Sequence, residues 1–130
     1  IIEFYISFLN QGMAATAEFD YQYPRKEIEE AIERFRAGDY VNRWVFKRKR
    51  ITGRKAYCVL ECDIDTEHFR MDLVVLRDET EIYRQNVVTD EPNSMITDRY
   101  FGALEVVGDE VIVRGKLKKV LYTENLAHLF

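Results

Sequence analysis

Residues 40–64 read YVNRWVFKRKRITGRKAYCVLECDI, and this stretch decides the predicted fold. Two runs that contain aromatic and β-branched residues flank Thr52-Gly53, a pair typical of a tight turn between strands. We therefore predict an antiparallel hairpin with strands at 40–51 and 55–64. Both strands carry apolar residues on both faces near their middles, a pattern that fits an open sheet or a barrel.

The chain after this hairpin keeps alternating between apolar and polar residues. This period of two predicts further strands near 67–76, 80–88, 103–107 and 110–121. The polar stretch 89–99, TDEPNSMITDR, predicts a loop with a short helical turn at 93–99. The last residues, TENLAHLF, predict one more helical turn.

The chain before the central hairpin predicts a second hairpin. Alternate positions in 2–8 and 15–23 are apolar or aromatic, and Asn10-Gln11-Gly12 separates the two segments. Each segment therefore predicts a strand with one buried face. The positions on these faces are Ile2, Phe4, Ile6 and Phe8 in the first strand and Ala15, Ala17, Phe19, Tyr21 and Tyr23 in the second.

The segment 24–37 predicts the main helix. It opens with Pro24, which is favoured in a first helical turn. Ile28, Ile32 and Phe35 recur at helical spacing and form one narrow apolar stripe, which we expect in the core. Gly38 follows as a helix stop.

These elements predict an α+β fold. We expect one twisted antiparallel sheet of six to eight strands, packed against the main helix at about residues 24–37. The alternative is a partly closed β-barrel with the helix at one end. At 130 residues, the chain suits a single α+β domain over 1–130.

Composition narrows the classes of function. The net charge of −4 argues against a general attraction to nucleic acid or anionic lipid. The opening IIEFYISFLN lacks the basic start of a signal peptide, and no apolar run approaches the ~20 residues of a membrane span. We expect a cytoplasmic protein without a membrane partner, and the sequence leaves its oligomeric state open.

The sequence contains no complete metal site or catalytic motif. Cys58 and Cys62 are too far apart on a strand for a disulfide, and their spacing indicates core positions. Adding His68 does not complete a zinc ligand set, and the carboxylates at 61–72 lack the pattern of a calcium loop. No phosphate-binding or hydrolase motif appears. We expect no metal and no cofactor, and we lean against an enzyme.

The tip of the central hairpin is strongly basic. Residues 46–55, FKRKRITGRK, hold six basic side chains and no acidic ones. With a two-residue turn, Arg48 would lie opposite Tyr57 and share a face with Trp44 and Phe46, an arrangement that can bind single-stranded nucleic acid. The candidate residues for this alternative are Lys47, Arg48, Lys49, Arg50, Arg54 and Lys55. We favour instead a solvated strand edge that Lys and Arg protect from pairing with other chains.

Acidic side chains are collected elsewhere in the chain. Residues 43–55 carry seven basic and no acidic residues, whereas 61–98 carry eleven acidic and three basic ones. Some of these charges are expected to pair across neighbouring strands. Unpaired, they would form an acidic surface that steers a basic partner. The candidate partner-binding residues are Asp63, Asp65, Glu67, Asp90, Glu91 and Asp98.

The leading functional hypothesis is a small binding or inhibitory protein that acts through a protein–protein contact on this acidic surface. An immunity-like or antitoxin-like role would suit an acidic domain that faces a basic protein. The first alternative is a small-ligand binder or enzyme with a cavity between helix and sheet, lined by Tyr21, Tyr23, Trp44 and Tyr57. The second alternative is nucleic-acid binding through the basic hairpin.

Overall fold

A computed structural model describes residues 1–17 and 23–130 of the chain. The chain divides into two compact units, residues 1–41 and residues 42–130. The first unit is helical, and the second contains all of the described strands. The two units are described separately below.

The first unit contains helix α1, Ile2–Thr16, and helix α2, Arg25–Ala37. The hairpin predicted for residues 2–23 is therefore wrong over residues 2–16, where the backbone is helical. Apolar residues of the segment lie on two sides of the helix, so its alternating positions also satisfy helical spacing and periodicity does not separate the two structures. Phe19 and Tyr21, expected in the second strand, lie outside the described residues.

Contacts within the first unit hold its helices in place. Ile6 and Met13 are buried, and the Tyr23 hydroxyl donates a hydrogen bond of 2.8 Å to the Met13 carbonyl oxygen. The Glu3 carboxylate accepts hydrogen bonds from the Arg36 guanidinium, each of 2.9 Å, and from the Tyr40 hydroxyl. These bonds from Arg36 and then Tyr40 lower the pKa of Glu3 to about 2.

Helix α2 confirms the main predicted helix, with two differences in detail. Ile28, Ile32 and Phe35 are half-buried, so the expected core stripe is only partly covered. Gly38 ends the helix with an ordinary φ of −83°, and the left-handed residues are Asp39 and Tyr40 instead, with φ of 56° and 60°. The chain reverses at these two residues rather than at the glycine.

The second unit contains seven strands in two antiparallel sheets. The first sheet has the order β1-β2-β3-β4 and the second has the order β5-β6-β7. The expected single sheet is therefore corrected to sheets of four and three strands, and among the described residues neither closes into a barrel. The strands are β1 (Asn42–Ile51), β2 (Ala56–Ile64), β3 (Phe69–Arg77), β4 (Thr80–Asp90), β5 (Ala103–Val107), β6 (Glu110–Arg114) and β7 (Val120–Asn125).

Connections between strands explain the remaining differences from the predicted elements. The helical turn expected within 93–99 is confirmed as α3, Ser94–Thr97, and is followed by a 3₁₀ turn at Asp98–Tyr100. The strand predicted at 110–121 is instead two strands, because residues 115–119 turn the chain between β6 and β7. The helical turn expected in the tail is a 3₁₀ turn at Leu126–Leu129.

One hydrophobic cluster draws residues from both sheets of the second unit. Cys58 and Cys62 point into it from β2, both fully buried and both free thiols, as the spacing predicted. Burial raises the pKa of each thiol to about 12, so both stay protonated at neutral pH. The largest fully buried side chains are Phe69, Ile51, Leu60, Met71, Leu73 and Leu126.

None of the helices in the described part of the chain combines the length and the apolar character that crossing a membrane requires.

Candidate binding groove

A bulge in β1 separates the side chains that the sequence placed on one face. Trp44 lies opposite Cys62 and Lys47 lies opposite Leu60, so Phe46 is an extra residue without a partner in β2. The turn spans residues 52–55 rather than two residues, which places Arg48 opposite Val59 instead of Tyr57.

The aromatic and basic side chains of the hairpin consequently do not form one surface. Trp44 and Phe46 pack against the hydrophobic cluster, and the Phe46 ring centroid lies 5.0 Å from that of Phe101. Arg48 lies over the Tyr57 ring on the other face of the sheet, 4.1 Å from its centroid. The described hairpin therefore lacks the shared aromatic and basic face on which the nucleic-acid alternative rested.

Of the four residues of the predicted ligand cavity, Trp44 and Tyr57 lie on opposite faces of the first sheet. Trp44 of β1 lies opposite Cys62 and packs against the hydrophobic cluster, whereas Tyr57 of β2 is five residues before Cys62 and lies on the other face of the sheet. Tyr23 belongs to the helical unit, where its hydroxyl binds the Met13 carbonyl. Tyr21 lies outside the described residues.

Three of the six hairpin cations are engaged by other groups. Arg48 forms an ion pair with Glu79, and Arg54 forms one of 3.1 Å with Asp109. Lys49 donates a hydrogen bond of 3.3 Å from Nζ to the Leu104 carbonyl oxygen in β5. The other three are Lys47, Arg50 and Lys55, for which the described residues provide no carboxylate within 4 Å.

Four of the six acidic candidates are ion-paired. Arg70 binds Asp63 at 2.9 Å and Asp65 at 2.7 Å. Hydrogen bonds from the Glu67 and His68 amides, and then from Arg70, lower the pKa of Asp65. The remaining pairs are Asp90 with Arg99, at 3.0 Å, and Asp98 with Lys116. Glu67 and Glu91 have no such partner among the described residues.

A larger ion-pair network lies on the outer face of the four-stranded sheet. Arg84 of β4 contacts Glu61 at 2.9 Å, Asp72 at 2.8 Å and Glu81 at 2.8 Å. Arg43 lies 3.7 Å from Glu61. Charges that are segregated along the sequence are thus largely neutralised across neighbouring strands of the fold.

A different surface of the second unit is cationic. We call it the cationic groove, an open depression with two lobes of about 340 and 450 Å³. Both lobes are lined by Gly102 and Ala103, so they adjoin at these two residues. The groove is lined by residues 47–49, 102–105, 114–116 and 118. Six of these residues are basic and one, Glu105, is acidic.

Two strand edges meet at the groove without pairing to each other. β1 is the outer strand of the first sheet and β5 is an outer strand of the second. The bond from Lys49 to Leu104 bridges them through a side chain instead of a backbone ladder. The bridge shows that the Leu104 carbonyl points out of the β5–β6 pair, toward the groove.

A close crossing of two backbone segments forms the floor of the larger lobe. A Cβ atom on Gly102 would lie 2.2 Å from the carbonyl oxygens of both Arg114 and Gly115. A Cβ atom on Gly115 would lie 2.7 Å from the Arg99 carbonyl oxygen, which accepts a 2.9 Å hydrogen bond from the Lys116 amide. Glycine at both positions therefore lets the turn at 115–119 pack against residues 99–102.

Charge in the groove is only partly balanced. Arg114 forms an ion pair of 2.9 Å with Glu105, and Lys116 pairs with Asp98. Lys47 lies over the Phe46 ring, 5.2 Å from its centroid, and neither Lys47 nor Lys118 has a carboxylate partner in the described ranges. Arg114, Lys116 and Lys118 are not among the site residues predicted from the sequence, although the run RGKLKK at 114–119 was a visible signal.

The described residues contain no group of three His, Cys, Asp or Glu side chains that could hold a metal ion. Comparisons of the chain with protein-family models, with curated proteins and with solved structures gave no match.

Proposed function

We propose that the chain is a small protein-binding module that holds an extended acidic segment of a partner protein in the cationic groove. The observation that carries this proposal is the lining of the groove, which includes Lys47 and Lys118 without a carboxylate partner among the described residues and lies beside two strand edges that do not pair with each other. The class of function is the one expected from the sequence. The surface is different, and the partner is acidic rather than basic.

The acidic surface is the weaker candidate because four of its six carboxylates already have cationic partners. A basic partner would have to replace the bonds from Arg70 to Asp63 and Asp65, and those of Arg99 and Lys116. Exchanging one exposed ion pair for another contributes little to the free energy of binding. Lys47 and Lys118, in contrast, offer positive charge that no described carboxylate neutralises.

A peptide suits the groove better than single-stranded nucleic acid. Binding of single strands relies on exposed aromatic rings on which bases stack, and the nearest ring, Phe46, packs against Phe101. The outer edge of β5 presents backbone groups, as the Leu104 carbonyl shows, and an extended peptide can pair with such an edge. Acidic side chains on that peptide would complement the lysines.

Fluorescence anisotropy of labelled probes tests this proposal. The probes are a peptide of about 12 residues that alternates Glu and Val, the same peptide with Gln for Glu, and an oligothymidine of similar length, at about 150 mM salt. The groove variant is Lys47→Glu with Lys118→Glu. The matched control, Arg50→Glu with Lys55→Glu, reverses two charges in the same unit but outside the groove.

We expect the Glu peptide to bind, the groove variant to weaken its binding at least tenfold, and the control variant to leave it unchanged. Equal binding of the Gln peptide would remove the charge argument, and an equal loss in both variants would remove the groove as the site. Tighter binding of oligothymidine than of the Glu peptide would favour the nucleic-acid alternative instead.

A further inference from the structure

Helix α1 carries an exposed apolar stripe. Ile1, Phe4, Tyr5 and Phe8 have exposed fractions of 87%, 68%, 64% and 70%. Their spacing of i, i+3, i+4 and i+7 places them on one side of the helix. The buried residue Ile6 lies on the opposite side. The helix therefore has two apolar sides, one buried and one open.

The stripe changes in shape along the helix. Its first half contains three aromatic side chains, and its second half continues through Gly12 and Ala15, both exposed. A Cβ atom on Gly12 would meet no atom within 4 Å, so the backbone is open to approach there. The stripe thus has a bulky half and a flat half.

We infer that this stripe binds a second copy of the chain, with the two α1 helices antiparallel about a two-fold axis near Phe8. In that arrangement the aromatic half of each helix lies against Gly12 and Ala15 of the other. A parallel pair would set bulky halves against each other and leave the flat halves apart. A two-fold contact requires a self-complementary surface, and the bulky and flat halves provide one.

The exposed area is sufficient for a dimer. Aromatic side chains carry ~150–250 Å² each, so the stripe exposes on the order of 600 Å² per copy. A pair of stripes would bury about 1,200 Å² in total, which is the lower end of specific protein interfaces. An exposed apolar patch of this size on a monomer is itself typical of an interaction site.

The charges of α1 favour a second copy over a membrane surface. Glu3 is the single charged residue of the helix, and its carboxylate is bound by Arg36 and Tyr40. The stripe is therefore uncharged, and two copies meet without electrostatic repulsion. Helices that lie on membranes usually carry Lys or Arg on their polar side, and α1 has none.

Sedimentation equilibrium of the full chain measures this association. We expect a monomer–dimer equilibrium with a dissociation constant of about 1–100 μM, because the interface is small. Gly12→Leu should weaken dimerisation at least tenfold, since its side chain would occupy the space of the partner's aromatic residues. The matched control Ser7→Leu adds the same side chain to α1 outside the stripe and should not weaken it.

The Gly12→Leu variant separates specific packing from general hydrophobic association. Leucine adds apolar area and favours the helix, so non-specific association would become tighter rather than weaker. A monomer at every concentration, or tighter association of Gly12→Leu, would overturn the inference. Binding of the monomeric chain to neutral phosphatidylcholine vesicles would also overturn it and assign the stripe to a membrane.

Oxidative cross-linking tests the antiparallel orientation. Position 8 is near the two-fold axis, so Phe8→Cys should form a disulfide-linked dimer. Gly12→Cys should not link to itself, whereas a mixture of Phe4→Cys and Gly12→Cys chains should. Cys58 and Cys62 are buried and do not compete. Efficient self-linking of Gly12→Cys would indicate a parallel pair and overturn the proposed arrangement.

Discussion

Single residues decide which face of the sheet each side chain occupies. The extra residue Phe46 sends Trp44 and Phe46 to the core and leaves Arg48 and Tyr57 outside. The sequence does not reveal this bulge, because Val45 and Phe46 are both apolar and either can occupy the inner face. The strands of the hairpin were therefore predictable, but the surface that they form was not.

Gly102 is the residue on which the floor of the cationic groove most depends. Gly102→Ala should lower the free energy of unfolding of the second unit by about 2–3 kcal/mol, because its Cβ atom would overlap backbone oxygens that cannot move independently. Urea unfolding followed by the fluorescence of Trp44, the single tryptophan, measures this change.

Gly108→Ala is the matched control in the same unit. A Cβ atom at Gly108 would meet nothing within 4 Å, but its φ of 62° is unfavourable for alanine, so we expect a cost of about 1 kcal/mol from backbone strain alone. Equal costs for the two variants would show that residues 99–102 move to relieve the overlap, and that the crossing is not rigid.

At the scale of elements, the sequence predicts those with a clear period and misses those without one. The strands at 42–64 and helix α2 follow their patterns closely. Helix α1 was missed because a segment that is apolar on most sides fits a period of two as well as a period of 3.6. The turn at 115–119 was missed because Lys116 and Leu117 continue the alternation of the preceding strand.

Arg84 is the shared cation of the ion-pair network on the outer face of the four-stranded sheet. Replacing it in Arg84→Met leaves Glu61, Asp72 and Glu81 without the cation that they share. Because the side chain is about a third exposed, solvent screens these pairs, and we expect a loss of about 1 kcal/mol in the free energy of unfolding. This loss in the free energy of unfolding should be smaller in 1 M salt, because salt screens the ion pairs.

The pH dependence of this variant has a definite sign. Arg84 lowers the pKa of Glu81, so its stabilising effect is complete above the ordinary carboxyl pKa and disappears as the pH falls through the lowered value. The wild type and Arg84→Met should therefore converge below about pH 4. Arg50→Met, on the same face but without a carboxylate partner in the described residues, should change stability by less than about 0.5 kcal/mol at any pH.

At the scale of the whole molecule, the α+β class with antiparallel strands was predictable, but the set of strands and their division into two sheets were not. Alternation identifies a strand and its buried face, but carries no information on which strand edges meet. Residues 91–102 separate β4 from β5 without adding a strand, so the ladder stops at β4 and a second sheet begins. The cationic groove lies where the edge of β1 meets that of β5, and alternation along the chain does not predict this meeting of edges.

The distribution of buried residues predicts which part of the chain folds by itself. Every member of the hydrophobic cluster lies between Ile51 and Leu126, within the second unit. Residues 42–130 alone should therefore unfold cooperatively in urea, with Trp44 emission like that of the full chain. Residues 1–41 alone bury only Ile6 and Met13 among the residues described there, so the isolated peptide should show much weaker helical circular dichroism than the same helices in the full chain.

Comparing these fragments with the full chain also tests the expected single domain of residues 1–130. If the chain is one cooperative domain, residues 42–130 should lose several kcal/mol of stability when residues 1–41 are removed, and tryptophan fluorescence and circular dichroism should report the same transition in the full chain. If the second unit is independent, its urea midpoint should be unchanged by the truncation, and the helical signal of the full chain should be lost at a lower urea concentration than the Trp44 signal. The second result is the one that a cluster confined to residues 51–126 predicts, because every buried residue of that cluster is retained in residues 42–130.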